Sequence, residues 1–294
     1  MMRITQTMLT NNMLRNLNQS YNKIDKYLNQ LSTQKKITRP SDDPVVAMKG
    51  ISYRSELSKV QQFERNISEV HSWMDSSDDV LNEAGKVLHR VRELIIQASN
   101  DTYENNQRNN IAQEIDQLKQ HLIDLANTKV NNKYIFSGTN TVEPLFDNNG
   151  NINQDANNDA VLIEVSDGIK VRANITPSNV FTQELMDKLD DIVNALKDPN
   201  SSGSTLNGFI IDIDNHFQNL MNERADLGAR MNRIELIEDR ISQLELSTTK
   251  LLSSNEDVDI EEVITKLVAQ ESVYRAALGA GARVIQPTLL DFLR

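Results

Sequence analysis

Ten positions between Ile67 and Ala98 settle most of what this chain can fold into. Ile67, Val70, Met74, Ser77, Leu81, Ala84, Leu88, Val91, Ile95 and Ala98 are spaced alternately three and four, and all but Ser77 are apolar. That spacing draws one line along an α-helix, whereas a strand would scatter the same residues over both faces. The pattern fits a helix running from Pro44 to Ser99, on the order of 80 Å at 1.5 Å per residue. An ordinary compact domain has no room for such a helix, so the expectation is a rod.

The rest of the chain repeats the theme. Leu14, Leu17, Tyr21, Ile24, Leu28 and Leu31 form a narrow heptad seam among Asn, Gln, Lys and Ser. Such a helix is marginal alone and needs a partner to cover its stripe. Pro40 then stops it, because the residue before proline avoids the helical region and proline has no N–H to give. Asp43 and Pro44 restart it, with aspartate suited to the N-cap and proline to the first helical position. Pro40, Asp42, Asp43 and Pro44 therefore read as a hinge at which the second helix takes a new direction. Asn100–Asp101 breaks that helix, and Ile111, Ile115, Leu118, Leu122 and Leu125 mark a third, folded back as a hairpin.

After Asn127 the composition changes. "KYIFSGTNT" runs into a Ser-Gly turn, and "VLIEVSDGIKVRANI" is a hairpin about Asp167–Gly168. Helical spacing resumes near Asn179 with Phe181, Leu185, Leu189, Ile192 and Leu196. It continues from Leu206 through Ile213, Leu220, Leu227 and Ile234 to Ile241, with Arg224 and Glu238 as polar interruptions. "SSNEDVD", from Ser253 to Asp259, is a second break, and Asp259 with Glu262 suggests a capping box for the last helix. That helix carries Ile264, Leu267, Tyr274, Leu278 and Ile285, and Pro287 ends it.

The expected fold is thus mainly α: an elongated antiparallel helical bundle or coiled-coil rod built by the N- and C-terminal segments together, with a small β-containing insertion. Three domains follow: residues 1–43 with 253–294 as a terminal helical assembly domain, 44–132 with 179–252 as the rod, and 133–178 as the insertion. The assembly surface is expected on Leu14, Leu17, Tyr21, Ile24, Leu28 and Leu31 together with Ile264, Leu267, Tyr274, Leu278 and Ile285.

Composition narrows the function. The 294 residues carry a formal charge of −11 and no dense basic cluster, which argues against nucleic acid as partner. Cysteine is absent, which removes disulfides and thiolate chemistry. No stretch approaches the roughly 18 apolar residues that span a bilayer, and the N-terminus lacks the apolar run of a secretory signal peptide. His71, His89, His121 and His216 form no helical metal pair, and acid pairs such as Asp78–Asp79 and Asp190–Asp191 read as solvated faces or caps. The expectation is a protein without cofactor, metal or enzymatic activity.

Five stretches resemble the bacterial flagellin superfamily, in the order that family has them: "MRITQTMLTNNMLRNL", "LSTQKKITRPSDDPVVAM", "RVRELIIQASNDT", "YIFSGTNT" and "ARVIQPTLLDFLR". The Pro-Ser-Asp-Asp-Pro form and the Phe-Ser-Gly turn resemble its hook–filament junction branch more than its filament subunits. Gln34 stands where the family commonly has glycine, so the turn there is expected to be less left-handed. The resemblance implies an extracellular structural subunit of the flagellum, exported unfolded by the type III route and held beforehand by a chaperone, FlgN. It also implies contacts with copies of itself, with the other hook-associated junction protein and with flagellin. Arg90, Leu94 and Glu114 occupy positions similar to the surface that the innate flagellin receptor reads in some relatives. A filament flagellin and a cytoplasmic coiled-coil scaffold are the alternative readings.

Overall fold

In the computed structural model, described for residues 6–99, 105–147, 150–153, 157–199, 201 and 203–285, the chain is mainly helical. The elements are α1 (Gln6–Thr33), α2 (Pro44–Ala98), α3 (Asn105–Ala126), β1 (Lys129–Val130), β2 (Lys133–Tyr134), β3 (Leu162–Ser166), β4 (Ile169–Arg172), α4 (Pro177–Val180), α5 (Gln183–Lys197), α6 (Gly203–Glu256) and α7 (Ile260–Ile285). The expected break at Asn100–Asp101 and the C-terminal close from Pro287 lie outside the described residues. Packing divides the chain into two compact units, one of residues 60–243 and one of residues 1–59 with 244–294.

In the larger unit, every one of the ten spaced positions on α2 is buried, with Ser77 donating its hydroxyl to the Trp73 carbonyl. A second buried row runs beside them: Trp73, Val80, Val87 and Leu94, seven residues apart. Two rows are needed because α2 has two helical neighbours. On one side Arg92 meets Asp214 at 2.6 Å and Arg224 meets Asp78 at 2.7 Å, so numbers on α6 fall as those on α2 rise and the pair is antiparallel. On the other, His121 meets Glu83 and Arg90 meets Glu114, which sets α3 antiparallel to α2 in the expected hairpin.

The polar interruptions of α6 are answered across the interface. Arg224 donates to both carboxylate oxygens of Asp78 and to the Asn82 side chain, and Glu238 lies 3.0 Å from His71. Asp78 and Asp190, expected as solvated faces or caps, are instead cross-helix partners, Asp190 receiving the almost fully buried Lys119 ammonium at 2.6 Å. A lysine so placed would be costly without that carboxylate. His216 is half-buried on α6, and desolvation pushes its imidazole pKa down.

Two small antiparallel hairpins follow α3, the first beginning at Lys129, four residues before the expected insertion. Between β1 and β2 the turn is Asn131–Asn132, both at positive φ, the two-residue form that asparagine tolerates and that matches strand twist. β3 and β4 turn at Gly168 as expected, and Asn66 of α2 and Arg240 of α6 bond to Glu164 and Ser166 of β3. The Phe-Ser-Gly stretch is buried. Phe136 packs edge-on to Phe181 with ring centroids 5.0 Å apart. Gly138 has φ 65°, and a side chain there would strike the Asn157 backbone.

In the smaller unit α1 and α7 pack antiparallel, with Tyr21 beside Tyr274. Asp43 caps α2, its carboxylate accepting from the N–H groups of Val45 and Val46, with Pro44 as first helical residue. Asp259 caps α7 in the same way through Glu261 and Glu262. Only half of the expected capping box forms there, because the Glu262 carboxylate turns to Lys266 at 2.6 Å. The second break is also shorter than expected: α6 runs to Glu256, three residues past Ser253.

Candidate assembly interface

Within the smaller unit the two breaks close on each other. Lys36 N–H donates to the Glu256 carbonyl at 2.7 Å and Val258 N–H to the Gln34 carbonyl at 3.1 Å, framing an antiparallel bridge of Lys35 with Asp257. Side chains reinforce it. Lys35 Nζ reaches Asp257, Lys36 Nζ the Ser254 carbonyl, and the Asn255 amide the Val46 carbonyl. The buried Glu256 carboxylate takes Arg54 at 2.6 Å and lies against Gly50, where a Cβ would sit 2.1 Å from Oε1. Arg39 to Asp42 form a turn with Pro40 at its second position, the place proline favours. The stop and restart are therefore tied to the second break by backbone and charge.

Gln34 corrects an expectation. Its φ is 56°, fully left-handed despite the side chain. The bridge demands this, because the turn must present the Gln34 carbonyl to Val258. A non-glycine residue held there costs about 1 kcal/mol. Gln34→Gly should therefore stabilise the chain by at most about 0.5 kcal/mol, after allowing for the freedom glycine adds to the unfolded chain. An unfolding midpoint lowered by the substitution would contradict that account.

Two carboxylates of this clasp are held below their ordinary value of 3.8. For Asp42 the main cause is the hydrogen bond from Arg39 N–H, then that from Thr38 N–H. For Asp257 it is Lys35, then the Ser253 hydroxyl. A depressed carboxylate contributes stability that is complete above its unfolded pKa and is lost as pH falls through the folded one. The clasp is thus expected to hold above 3.8 and loosen only below it. In an NMR titration the Arg39 amide should move with a midpoint under 3.8, and Asp42→Asn should abolish that movement. A midpoint at or above 3.8 would rule out the bond.

The expected apolar stripe of α1 splits in two. Leu17, Ile24 and Leu31 are half-buried, while Leu14, Tyr21 and Leu28 stay 50%, 60% and 49% exposed. On α7, Leu267 and Tyr274 are half-buried, and Ile264 and Leu278 are exposed. The side chain of Ile285 lies outside the described residues. Each helix meets one partner within its own chain, so one edge of each stripe is covered and the other is left open. Sequence reasoning missed a further patch on the first turns of α2: Val45, Met48 and Ile51 are all exposed, Met48 to 69%. Their spacing of three is the signal for it in the sequence.

Arg90 and Glu114 are exposed and paired at 2.8 Å, with Glu93 also on Arg90. Leu94 does not join them on a surface. It is 1% exposed, the last of the row Trp73, Val80, Val87 and Leu94. That seven-residue apolar row was the signal in the sequence for its burial. Among the described residues no group of three or more His, Asp or Glu is placed to hold a metal ion, and no helix is long and apolar enough to cross a membrane.

Comparison with known proteins accords with this geometry. Residues 4–141 match the bacterial flagellin N-terminal helical region. The flagellar hook-associated protein 3 of Escherichia coli K12 is 25% identical over 95% of this chain and 96% of its own. The crystal structure of Bacillus cereus FlgL superimposes with TM-score 0.60 at 22% identity, over 69% of this chain and 99% of that one. A Clostridium tyrobutyricum flagellin is 31% identical, but over only 42% of this chain and 33% of the flagellin. The N-terminal part of the chain thus matches the bacterial flagellin family, and nearly the whole chain is similar to hook-associated protein 3. The likeness to hook-associated protein 3 spans both ends and the insertion, and so does that to the flagellar filament 31.3 kDa core protein of Treponema maltophilum, 24% identical over 92% of each chain.

Proposed function

We propose that this chain is a structural subunit of the flagellum that joins hook to filament. The observation that carries the reading is the pair of half-covered helices: α1 and α7 each bury one edge of an apolar stripe and expose the other. A neighbouring copy in a helical array would cover the open edges, and Val45, Met48 and Ile51 extend the surface it would meet. The clasp at the two breaks would hold the α1–α7 pair in the direction the array needs, which is the hinge role given to Pro40, Asp42, Asp43 and Pro44. Before assembly the terminal stripes lack part of their cover. The α1–α7 pair of the free chain is then only weakly held, and a type III export route with FlgN at the C-terminal helix suits such a chain. The other hook-associated junction protein and flagellin are the partners at its two borders, and no catalytic role is part of the reading.

Immunogold labelling of intact flagella tests it. Label should sit in one narrow zone between hook and filament. Deletion of the gene should leave flagellin monomers in the medium. Label along the whole filament, with loss of the filament on deletion, would instead favour a filament flagellin, the reading that the high local identity to a flagellin keeps open.

A further inference from the structure

We propose that the loop at Val142 of one copy docks into a groove between α2 and α6 of the next, which gives the β insertion a role as a lateral contact. The groove lies around Gly85 and encloses about 360 Å³. Phe217 and Met221 make its apolar floor, and Lys86 and His89 stand at its edge. A Cβ added at position 85 would meet Met221, Leu220 and Phe217 at 3.5–3.8 Å, which is ordinary contact. Packing therefore does not require glycine, and glycine inside a helix costs about 1 kcal/mol against alanine. Its effect is to leave depth above the apolar floor.

The charge at the edge is unbalanced. Arg224 is matched by Asp78, and His89 lies 3.4 Å from Glu93, but Lys86 has no acidic partner among the described residues. The complementary shape is on the insertion. Val142 is 82% exposed, more than any other large hydrophobic among the described residues. Glu143 follows it, accepting from the Asn153 amide at 3.2 Å, and Pro144 then restricts the backbone. An apolar tip with a neighbouring acid thus faces solvent, and an apolar floor with a neighbouring lysine lies open.

The loop cannot fill the groove of its own chain. Thr141 is tied to Tyr134 on β2, and Lys133 of β2 to Glu69 of α2. Glu69 is about 26 Å along α2 from Lys86 at 1.5 Å per residue. The occupant is therefore a second copy. Because tip and groove are different surfaces, the contact does not close on itself and propagates from copy to copy. The inference rests on the reading of the chain as an array-forming flagellar subunit.

The absence of cysteine makes a clean test. One chain carrying Val142→Cys and another carrying His89→Cys would be expressed together in a motile strain lacking the native gene. Flagella would then be isolated and mildly oxidised. A disulfide-linked dimer at least tenfold above either variant expressed alone is expected. Lys86→Glu in the second chain should lower that yield about tenfold, and Glu143→Lys in the first should restore it. If immunoblots find both chains in the flagella but no dimer above the single-variant level, the contact is refuted. If neither chain is in the flagella, the subunit reading fails and the contact falls with it, and the immunoblot separates the two failures.

Discussion

Leu81→Ala is expected to destabilise the folded chain by about 2–5 kcal/mol, the range for truncating a fully buried leucine whose surroundings only partly collapse. Leu81 is 0% exposed and lies midway along the buried row of α2, between Ser77 and Ala84. Its neighbours cannot fill the space easily. Two helices, α3 and α6, are pinned to α2 on either side of it by the Glu83–His121 hydrogen bond and the Asp78–Arg224 ion pair. Loss of the side chain therefore leaves a cavity, and the cost is the transfer term plus the cavity term. Denaturant unfolding followed by circular dichroism measures it. A loss below about 1 kcal/mol would mean that the row is not a packed core.

That row was legible because its spacing excludes strand and fixes which side of the helix faces inward. The caps at Asp43 and Asp259 were legible for a similar reason: an acid placed one residue before a helical run has a local, near-obligatory use. What was not legible depended on partners distant in sequence. Leu94 looked like part of a surface because one stripe was traced where two exist, and the second row follows from α2 having α3 on one side and α6 on the other. Asp78 and Asp190 looked solvated until α6 and α3 brought Arg224 and Lys119 to them. Gln34 was read from its side chain alone, yet its left-handed backbone is set by Val258, more than two hundred residues away. The assembly stripe was traced correctly as apolar, but periodicity alone could not divide it into the half that α7 covers and the half left open.

That division leads to the second large effect. Leu14→Gln combined with Leu28→Gln should leave the single chain folded while reducing its entry into flagella by about 10- to 100-fold. Both leucines lie on the open edge of α1, each about half exposed, and glutamine is as good a helix former as leucine. The unfolding midpoint should therefore change by no more than about 0.5 kcal/mol. Full burial of a leucine is worth about 1.5–3 kcal/mol, and each of these has only about half its surface left to cover, so the two together are worth about 1.5–3. At 1.4 kcal/mol per tenfold, that is a loss of about 10–10² in subunit association. The inward residue Ile24 provides the control, since Ile24→Gln should weaken the α1–α7 pair in the free chain itself. Circular dichroism and immunoblots of sheared flagella read the two effects separately. Normal incorporation of the Leu14, Leu28 variant would show that the open edge is not what the array covers. Unfolding of its free form would show that this edge already supports the chain on its own.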